Sequence, residues 1–480
     1  MSARSSRLLA LACCTALAAC SMAPHYTRPA APVPLQFDTA GSAPSAAGAA
    51  LALPDWREVF LDPRLRQVIA LGLDNNRDLR VAILAIDKAR AQYRIQRAAL
   101  APALDATASS GRQRTSASAS DSGQAQIDSS DTVQVGISSW ELDLFGRVRS
   151  LKDEALETWL ASAETQRSVR VSLIGQIADA WLAVGADQQL LALAQQTLDS
   201  QEQTLRRSRD QHANGIGSGL DLAQIQSSVE AARVAVARAA TQLAQARDAL
   251  QLVVGAPVDA ALLAGTDAFD GSVALAPVPA RLDAAVLLQR PDVLAAEHAL
   301  KAANADIGAA RAAFFPTVSL TASSGRSSDA LSTLFAAGSR TWAFVPSIAL
   351  PIFHAGALKA SLDVSRIGKN IAVAQYEKAI QSAFSDVADA LAQRDHLDAQ
   401  LSAQRALVEA VRRSQTLAEA RYRAGVDGYL QVLDAQRSLY AAQQDLIALR
   451  LQDDSNRVAL YTVLGGGADA RATAPAAASR

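Results

Sequence analysis

The chain is 480 residues long, which by length alone allows two or three domains. Its 46 Lys+Arg are balanced by 47 Asp+Glu, which removes the basic footprint expected of a nucleic-acid-binding protein. Aromatic residues make up 5% of the chain and alanine is abundant, a composition suited to long, closely packed helices because alanine has the best helix propensity.

The first residues read as a signal peptide, 1–19. Arg4 and Arg7 supply a positive start, and Leu8 to Ala16 form an apolar stretch too short to span a bilayer. Leu17-Ala18-Ala19-Cys20 then resembles the lipobox of bacterial lipoproteins, in which the Cys becomes the lipidated first residue; a plain signal peptide with an incidental Cys is the alternative. Cys13 and Cys14 would leave with the peptide, so neither disulfides nor thiol chemistry is expected of the mature chain. Ser21 after the Cys is similar to lipoproteins sorted to the outer membrane. Residues 20–55, rich in Pro, Ala, Gly and Ser, read as an extended tether from the lipid anchor.

Two similar halves follow, 56–270 and 271–466. In the first, a helix from Leu79 to Leu100 is closed by Pro102, and a strand over about 103–112 alternates Leu104, Ala106 and Ala108 with Asp105, Thr107 and Ser109. A polar loop from about Gly111 to Ser130 leads to a second strand over about 132–144. A hairpin over about 146–255 comes next. Its first helix runs from Gly146 or Arg147 to about His212, roughly 65 residues or about 100 Å at 1.5 Å per residue. Gly215, Gly217 and Gly219 form the turn, supplying positive φ. The returning helix carries Leu222, Ile225, Val229, Ala232, Val236, Ala239, Leu243, Ala246, Leu250 and Val253 at a spacing of three and four, a coiled-coil seam.

The second half repeats this order. A helix from Val293 to Phe314 ends at Pro316, strands are expected at about 317–326 and 341–352, and a hairpin over about 355–465 turns at Gly425 and Gly428. Its returning ladder reads Val432, Ala435, Leu439, Ala442, Leu446, Leu449, Asp453, Asn456, Leu460 and Val463. Asp453 and Asn456 interrupt this seam, either as solvated positions or as a polar lining. No proline occurs between Pro102 and Pro257 or between Pro351 and Pro475, the segments that hold the long helices. Residues 467–480 read as a flexible C-terminal tail. No segment after the signal peptide offers 18 uncharged apolar residues, so no inner-membrane helix is expected.

Strands of about ten residues joined by a polar loop suit an outer-membrane barrel. Four strands cannot close one, and open edges cannot stand in lipid, so the chain must oligomerise. Three copies give twelve strands, although two or four copies are not excluded by the residues themselves.

The stretch from Ser139 to Arg149, SWELDLFGRVR, resembles the strand-to-helix junction of TolC-like outer-membrane efflux proteins, most of all their lipoprotein, NodT-type branch. Leu350-Pro351-Ile352-Phe353-His354-Ala355-Gly356 resembles the matching junction of the second half, and Arg421-Tyr422-Arg423-Ala424-Gly425 followed by Leu430-Gln431-Val432-Leu433-Asp434-Ala435-Gln436 resembles the second periplasmic tip. The resemblance implies a mostly α fold with β: duplicated long helical hairpins plus four transmembrane strands per chain, assembling as a trimeric 12-stranded β-barrel joined to an α-helical barrel. It further implies partners, namely a periplasmic adaptor and an inner-membrane pump of the resistance-nodulation-division (RND) type. The implied function is passive exit of drugs or other small molecules.

No active site is legible. His25, His212, His298, His354 and His396 are scattered, and the glycines at 215–219 lack the lysine of a phosphate-binding loop, so no enzyme activity, cofactor or metal is expected. The gate or constriction candidates lie at the tips. In a threefold assembly Asp434 and Asp221 become carboxylate rings. Asp221 reads equally well as an acid favoured at a helix N-terminus. By resemblance, Asp434 falls on an aspartate of the family's tip pattern, Gln431 stands where some members place a second aspartate, and Asp427 where some place a basic latch residue. Tyr422 either hydrogen-bonds between hairpins or packs. The mismatch of Gly219 with Tyr429 and of Asp221 with Gln431 implies that the two hairpins move differently, the second being the one that opens. Rival readings are a protein or polysaccharide exporter and a poreless periplasmic coiled-coil scaffold.

Overall fold

A computed structural model describes residues 22–37, 55–121, 123–269, 271–273 and 282–466. The signal peptide, the expected lipidation site Cys20, most of the latter half of the tether and the C-terminal tail lie outside the described residues. The elements are α1 (Trp56–Val59), α2 (Pro63–Asn75), α3 (Arg77–Ala98), β1 (Asp105–Thr115), β2 (Gln126–Leu142), α4 (Arg147–Ala213), α5 (Gly219–Val254), α6 (Pro291–Ala312), β3 (Thr317–Ser328), β4 (Arg340–Ala349), α7 (Ala357–Arg423) and α8 (Tyr429–Val463). The order α3-β1-β2-α4-α5 recurs as α6-β3-β4-α7-α8. The chain divides into two compact units, one of residues 1–30, 85–163 and 295–377, the other of 31–84, 164–294 and 378–480.

The first unit holds one antiparallel sheet in the order β1-β2-β3-β4, with β1 and β4 as its edges. Residues directly opposite one another point to the same face, so the register sorts the side chains. One face carries Ala106 and Ala108, Val133, Val135 and Ile137, Leu320 and Ala322, and Trp342, Phe344 and Ile348. The other carries Thr107 and Ser109, Thr132 and Gln134, Ser319, Thr321 and Ser323, and Thr341 and Ser347. A bulge between Ile137 and Trp140 inserts one residue, with Ser139 at φ 51° donating its N–H to Thr321 Oγ1 at 3.1 Å. The bulge moves the apolar positions from odd to even numbers, so Trp140 and Leu142 stay on the apolar face.

The β1–β2 pairing extends from Asp105↔Gly136 to Thr115↔Gln126. The polar loop expected from Gly111 to Ser130 is thereby reduced to residues 116–125, because its alternating polar residues pair as a two-stranded ribbon. β4 stops at Ala349, short of the expected 352, since Pro351 has no N–H to give a ladder.

The N-terminal segment is extended but not free. Residues 297, 301, 304, 308 and 311 form one stripe of α6, and the segment lies along it. Arg311 Nη1 donates to Met22 O at 3.2 Å and Asn304 Nδ2 to Pro24 O at 2.7 Å. Arg28 Nη2 donates to Glu297 Oε2 at 2.7 Å and Tyr26 OH to Glu297 Oε1 at 3.2 Å, with Lys301 Nζ 3.1 Å from the same carboxylate. Burial pushes the Glu297 carboxyl up, but the bonds from Arg28 and Lys301 outweigh it and hold its pKa below the ordinary value. Gly308 lets the strap approach: a Cβ there would lie 2.8 Å from Ala23 N.

The second unit has a core of Trp56, Phe60, Leu65, Val68, Ile69, Ile177, Trp181, Leu250, Val254 and Tyr461. Asp62 caps α2 by accepting from Arg64 N at 2.7 Å, with Pro63 at the first helical position. Trp181 is fully buried and donates Nε1 to Leu262 O at 2.9 Å. α4 contains an 18-residue window apolar enough to cross a membrane by length and composition when up to two charged residues are admitted, and 56% of that window is buried; it is not a run of 18 uncharged residues. Ile177, Trp181 and Leu182 account for its apolarity as core residues. Asn456 departs from the solvated reading. It is 2% exposed and donates Nδ2 to Ala390 O at 2.9 Å and to Gln393 Oε1 at 3.0 Å, so its amide is bonded inside the seam. Asp453 is paired instead with Arg457 at 2.8 Å.

Candidate functional site: the two hairpin tips

The tips share one backbone solution 210 positions apart. Asn214 N and Ala424 N donate to Asp210 O and Ala420 O, Gly215 N and Gly425 N to His212 O and Tyr422 O, and Ile216 N and Val426 N to Gln211 O and Arg421 O. Gly215 and Gly425 have φ of 75° and 72°, the left-handed conformation that ends a helix. The other turn glycines do not supply positive φ, contrary to expectation. Gly217 is closely packed, and a Cβ there would lie 3.1 Å from His212 N. Gly219 opens α5 with room to spare, and Gly428 is the N-cap of α8 at φ −76°.

Side chains make the tips different. In the first, His212 Nδ1 lies 3.0 Å from Gly217 O, and Ser218 caps α5 by accepting from Leu220 N at 3.2 Å. In the second, Arg421 Nη2 donates to Asp427 Oδ1 at 3.0 Å, and the guanidinium holds the Asp427 carboxyl below the usual aspartate range.

α8 then turns one face onto the first hairpin. Tyr429, Val432 and Leu433 pack with Leu205, Ile225 and Val229, and Tyr422 meets the Tyr429 ring edge-on at 5.5 Å between centroids. Tyr422 therefore packs within its own chain. Burial raises its pKa, and the nearby Asp221 carboxylate adds to the effect. Tyr429 is 1% exposed and burial pushes its phenol up to about 12. Its hydroxyl is 3.4 Å from Gln201 Oε1, and Gln201 Nε2 donates to Gln436 Oε1 at 2.8 Å. Beside this contact a cleft of about 460 Å³ is lined by Arg207, Gln211, Glu419, Tyr422, Arg423 and Gln436 among others.

Of the candidates read from sequence, the fold brings Tyr422 and Asp221 together. Gln431 and Asp434 share the opposite, exposed face of α8, and Asp434 has no ion pair or hydrogen bond among the described residues. Tyr429, Gln201, Gln436 and the Arg421 partner of Asp427 were not singled out as site residues. The replacement of Gly219 by Tyr429 at the repeat's equivalent position was the one sequence signal that pointed there.

The family model of the outer membrane efflux protein matches residues 68–256 and 284–466. A toluene efflux pump outer membrane protein of Pseudomonas putida, TtgC, is 48% identical over 455 residues, 94% of this chain and 93% of its own. The outer membrane protein OprJ of Pseudomonas aeruginosa is 44% identical over 453 residues, 94% of each chain. Among solved structures, the open state of the Neisseria gonorrhoeae MtrE outer membrane channel superposes with a TM-score of 0.82 at 39% identity, over 93% of this chain and 98% of that one. With its duplicated hairpins and two-faced sheet, the chain belongs to the outer membrane efflux protein family.

Proposed function

We propose that the protein is the outer-membrane channel-tunnel of a tripartite efflux system, a passive duct whose cargo arrives from an inner-membrane RND-type pump through a periplasmic adaptor. The observation that carries this reading is the four-stranded sheet with one apolar face, one polar face and two open edges. Such a sheet is unsatisfied alone in lipid, and closure by copies of itself buries both edges. Three copies give twelve strands, with the polar face lining the lumen. Cys20, acylated, would anchor each chain, and the docked strap 22–30 would lead from that anchor. The helical hairpins would form the periplasmic duct, ending at the tips.

Relatives are named for toluene, solvent and antibiotic efflux, which supports small, largely apolar cargo. Asp434, exposed on the face of α8 turned away from the first hairpin, is the leading constriction residue; Asp221, Gln431, Asp427 and Tyr422 belong to the same gate. The test is reconstitution of the full-length acylated protein into planar bilayers. Discrete conductance steps, together with an SDS-resistant species of three copies, are expected. Absence of conductance from both the wild type and Asp434→Ala refutes the duct.

A further inference from the structure

The apolar face of the sheet ends in arginines at its loop end only. Arg326 and Arg340 are directly opposite one another on β3 and β4, on the same face as Trp342 and Phe344. On β1, Arg112 and Arg114 continue the face that holds Ala106 and Ala108, their partners on β2 being Ser129 and Ile127. All four lie toward the β1–β2 and β3–β4 loops, away from the strand ends that join the helices. Like charges directly opposite in a sheet are destabilising unless a counter-charge offsets them. Here the acid on that face is Asp131, opposite Ser110 and Ser328, and it forms no ion pair with any of the four among the described residues. Arg112, Arg114 and Arg340 are exposed and have no acceptor among the described residues. Arg326 is held in place by Nη1, which donates to Phe335 O, Ala336 O and Ser339 Oγ at 3.1 to 3.2 Å, with its other N–H groups unengaged among the described residues.

β4 is ten residues long; at about 3.3 Å per residue and a tilt of about 40° it rises about 25 Å, the height of the apolar band of an outer-membrane barrel. Arg340 at its start therefore sits at a membrane–water boundary. On the proposed channel reading, on which this inference rests, the loop end is the cell exterior and that boundary belongs to the outer leaflet. We propose that Arg112, Arg114, Arg326 and Arg340 form a binding girdle for the phosphates of outer-leaflet glycolipid, the lipid A portion of lipopolysaccharide. Guanidinium forks match phosphate oxygens in pairs, and the acyl chains would lie against Trp342, Phe344 and Val135 below. Phosphate answers the cations that lack a carboxylate partner, and acyl chains answer the apolar residues next to them.

The test uses full-length acylated protein extracted from the outer-membrane fraction, and failure of the channel reading shows separately as absence of conductance from the same preparation in planar bilayers. Bisphosphorylated lipid A, dephosphorylated lipid A and phosphatidylglycerol are titrated in detergent against the wild type, with thermal shift and native mass spectrometry as readouts. The wild type is expected to bind the bisphosphorylated form preferentially. Each exposed arginine removed, in Arg112→Gln, Arg114→Gln and Arg340→Gln, lowers that affinity about fivefold, the effect of one basic side chain near a charged lipid surface. Arg326 is left intact because it also holds the β3–β4 loop. Equal binding of the dephosphorylated form, equal binding of phosphatidylglycerol, or unchanged affinity in the triple variant overturns the proposal. The comparison of lipids on the wild type needs no variant to fold.

Discussion

Arg421 and Asp427 close the second tip on itself, Nη2 to Oδ1 at 3.0 Å, where the first tip has Gln211 and no counterpart. The Asp427 carboxylate is thus neutralised locally. Asp427→Ala is expected to release Arg421 and loosen the turn, raising closed-state conductance in bilayers while leaving the melting temperature unchanged. Because the pair is exposed, raising salt should mimic part of the effect in the wild type, and it should do nothing further in the variant. Equal salt dependence in the two proteins would count against a tip lock.

Tyr429 couples the hairpins mainly through its ring. Its hydroxyl contact with Gln201 is long, at 3.4 Å, whereas the ring is 1% exposed among Ile225, Val229 and Leu205. Tyr429→Phe should therefore cost at most about 1 kcal/mol and Tyr429→Ala about 3 kcal/mol. Amide exchange around residues 198–232 should accelerate in the alanine variant and remain near wild type in the phenylalanine variant. The reverse order would place the coupling in the hydrogen bond.

Much of this arrangement was legible in the chain itself. The 3.5-residue ladders, the proline-free segments and the alternation beginning at Leu104 and Val318 marked the long helices and the first strand of each half, because each reflects a period the backbone imposes. The bulge at Ser138-Ser139 was not read, although the apolar positions 133, 135, 137, then 140 and 142 record it. The strap along α6 left no periodic signal: its partners Glu297, Lys301, Asn304 and Arg311 are ordinary polar residues of an exposed-looking helix face. At the tips, helical period could place Asp434 on a face but could not show that Tyr429, the first residue of α8, reaches across to the other hairpin. Contacts between elements far apart in sequence depend on packing, which no local pattern encodes.

Two buried carboxyls give the second unit a pH dependence. Burial pushes Asp454 up to about 7 and Asp179 up to about 6, in the first case against the opposing Arg457 and with the adjacent Asp453, in the second against a hydrogen bond from Ser455. An acid whose pKa is higher in the fold than in the unfolded chain is bound to a proton that the unfolded chain has lost, so stability falls as pH rises from about 4 to 7 and is flat above. For Asp454 the loss is about 4 kcal/mol, at 1.36 kcal/mol per unit. Asp454→Asn should remove most of this slope and make the protein more stable than wild type at pH 8, as read from urea melts at pH 5 and pH 8. Parallel losses in wild type and variant would assign the slope elsewhere.

The two ends of α5 predict opposite responses to the same substitution. Gly219 opens the helix in ordinary conformation, and the nearest atom a Cβ would meet is His212 Cε1 at 3.7 Å. Gly219→Ala should stabilise by about 0.5 kcal/mol, chiefly by restricting the unfolded chain. Gly255 ends the helix at φ 76°, and a Cβ there would lie 2.7 Å from Asn75 O, a backbone atom of the α2–α3 corner that cannot step aside. That corner is itself fixed, since Asn76 donates Nδ2 to Val253 O at 2.7 Å and accepts from Leu79 N at 2.8 Å. Gly255→Ala therefore adds left-handed strain of about 1 kcal/mol to a steric conflict and should destabilise by at least about 2 kcal/mol. Thermal melts of the two variants beside wild type check both signs at once; a loss at Gly219 equal to that at Gly255 would mean that the first tip is held by contacts a single chain does not make.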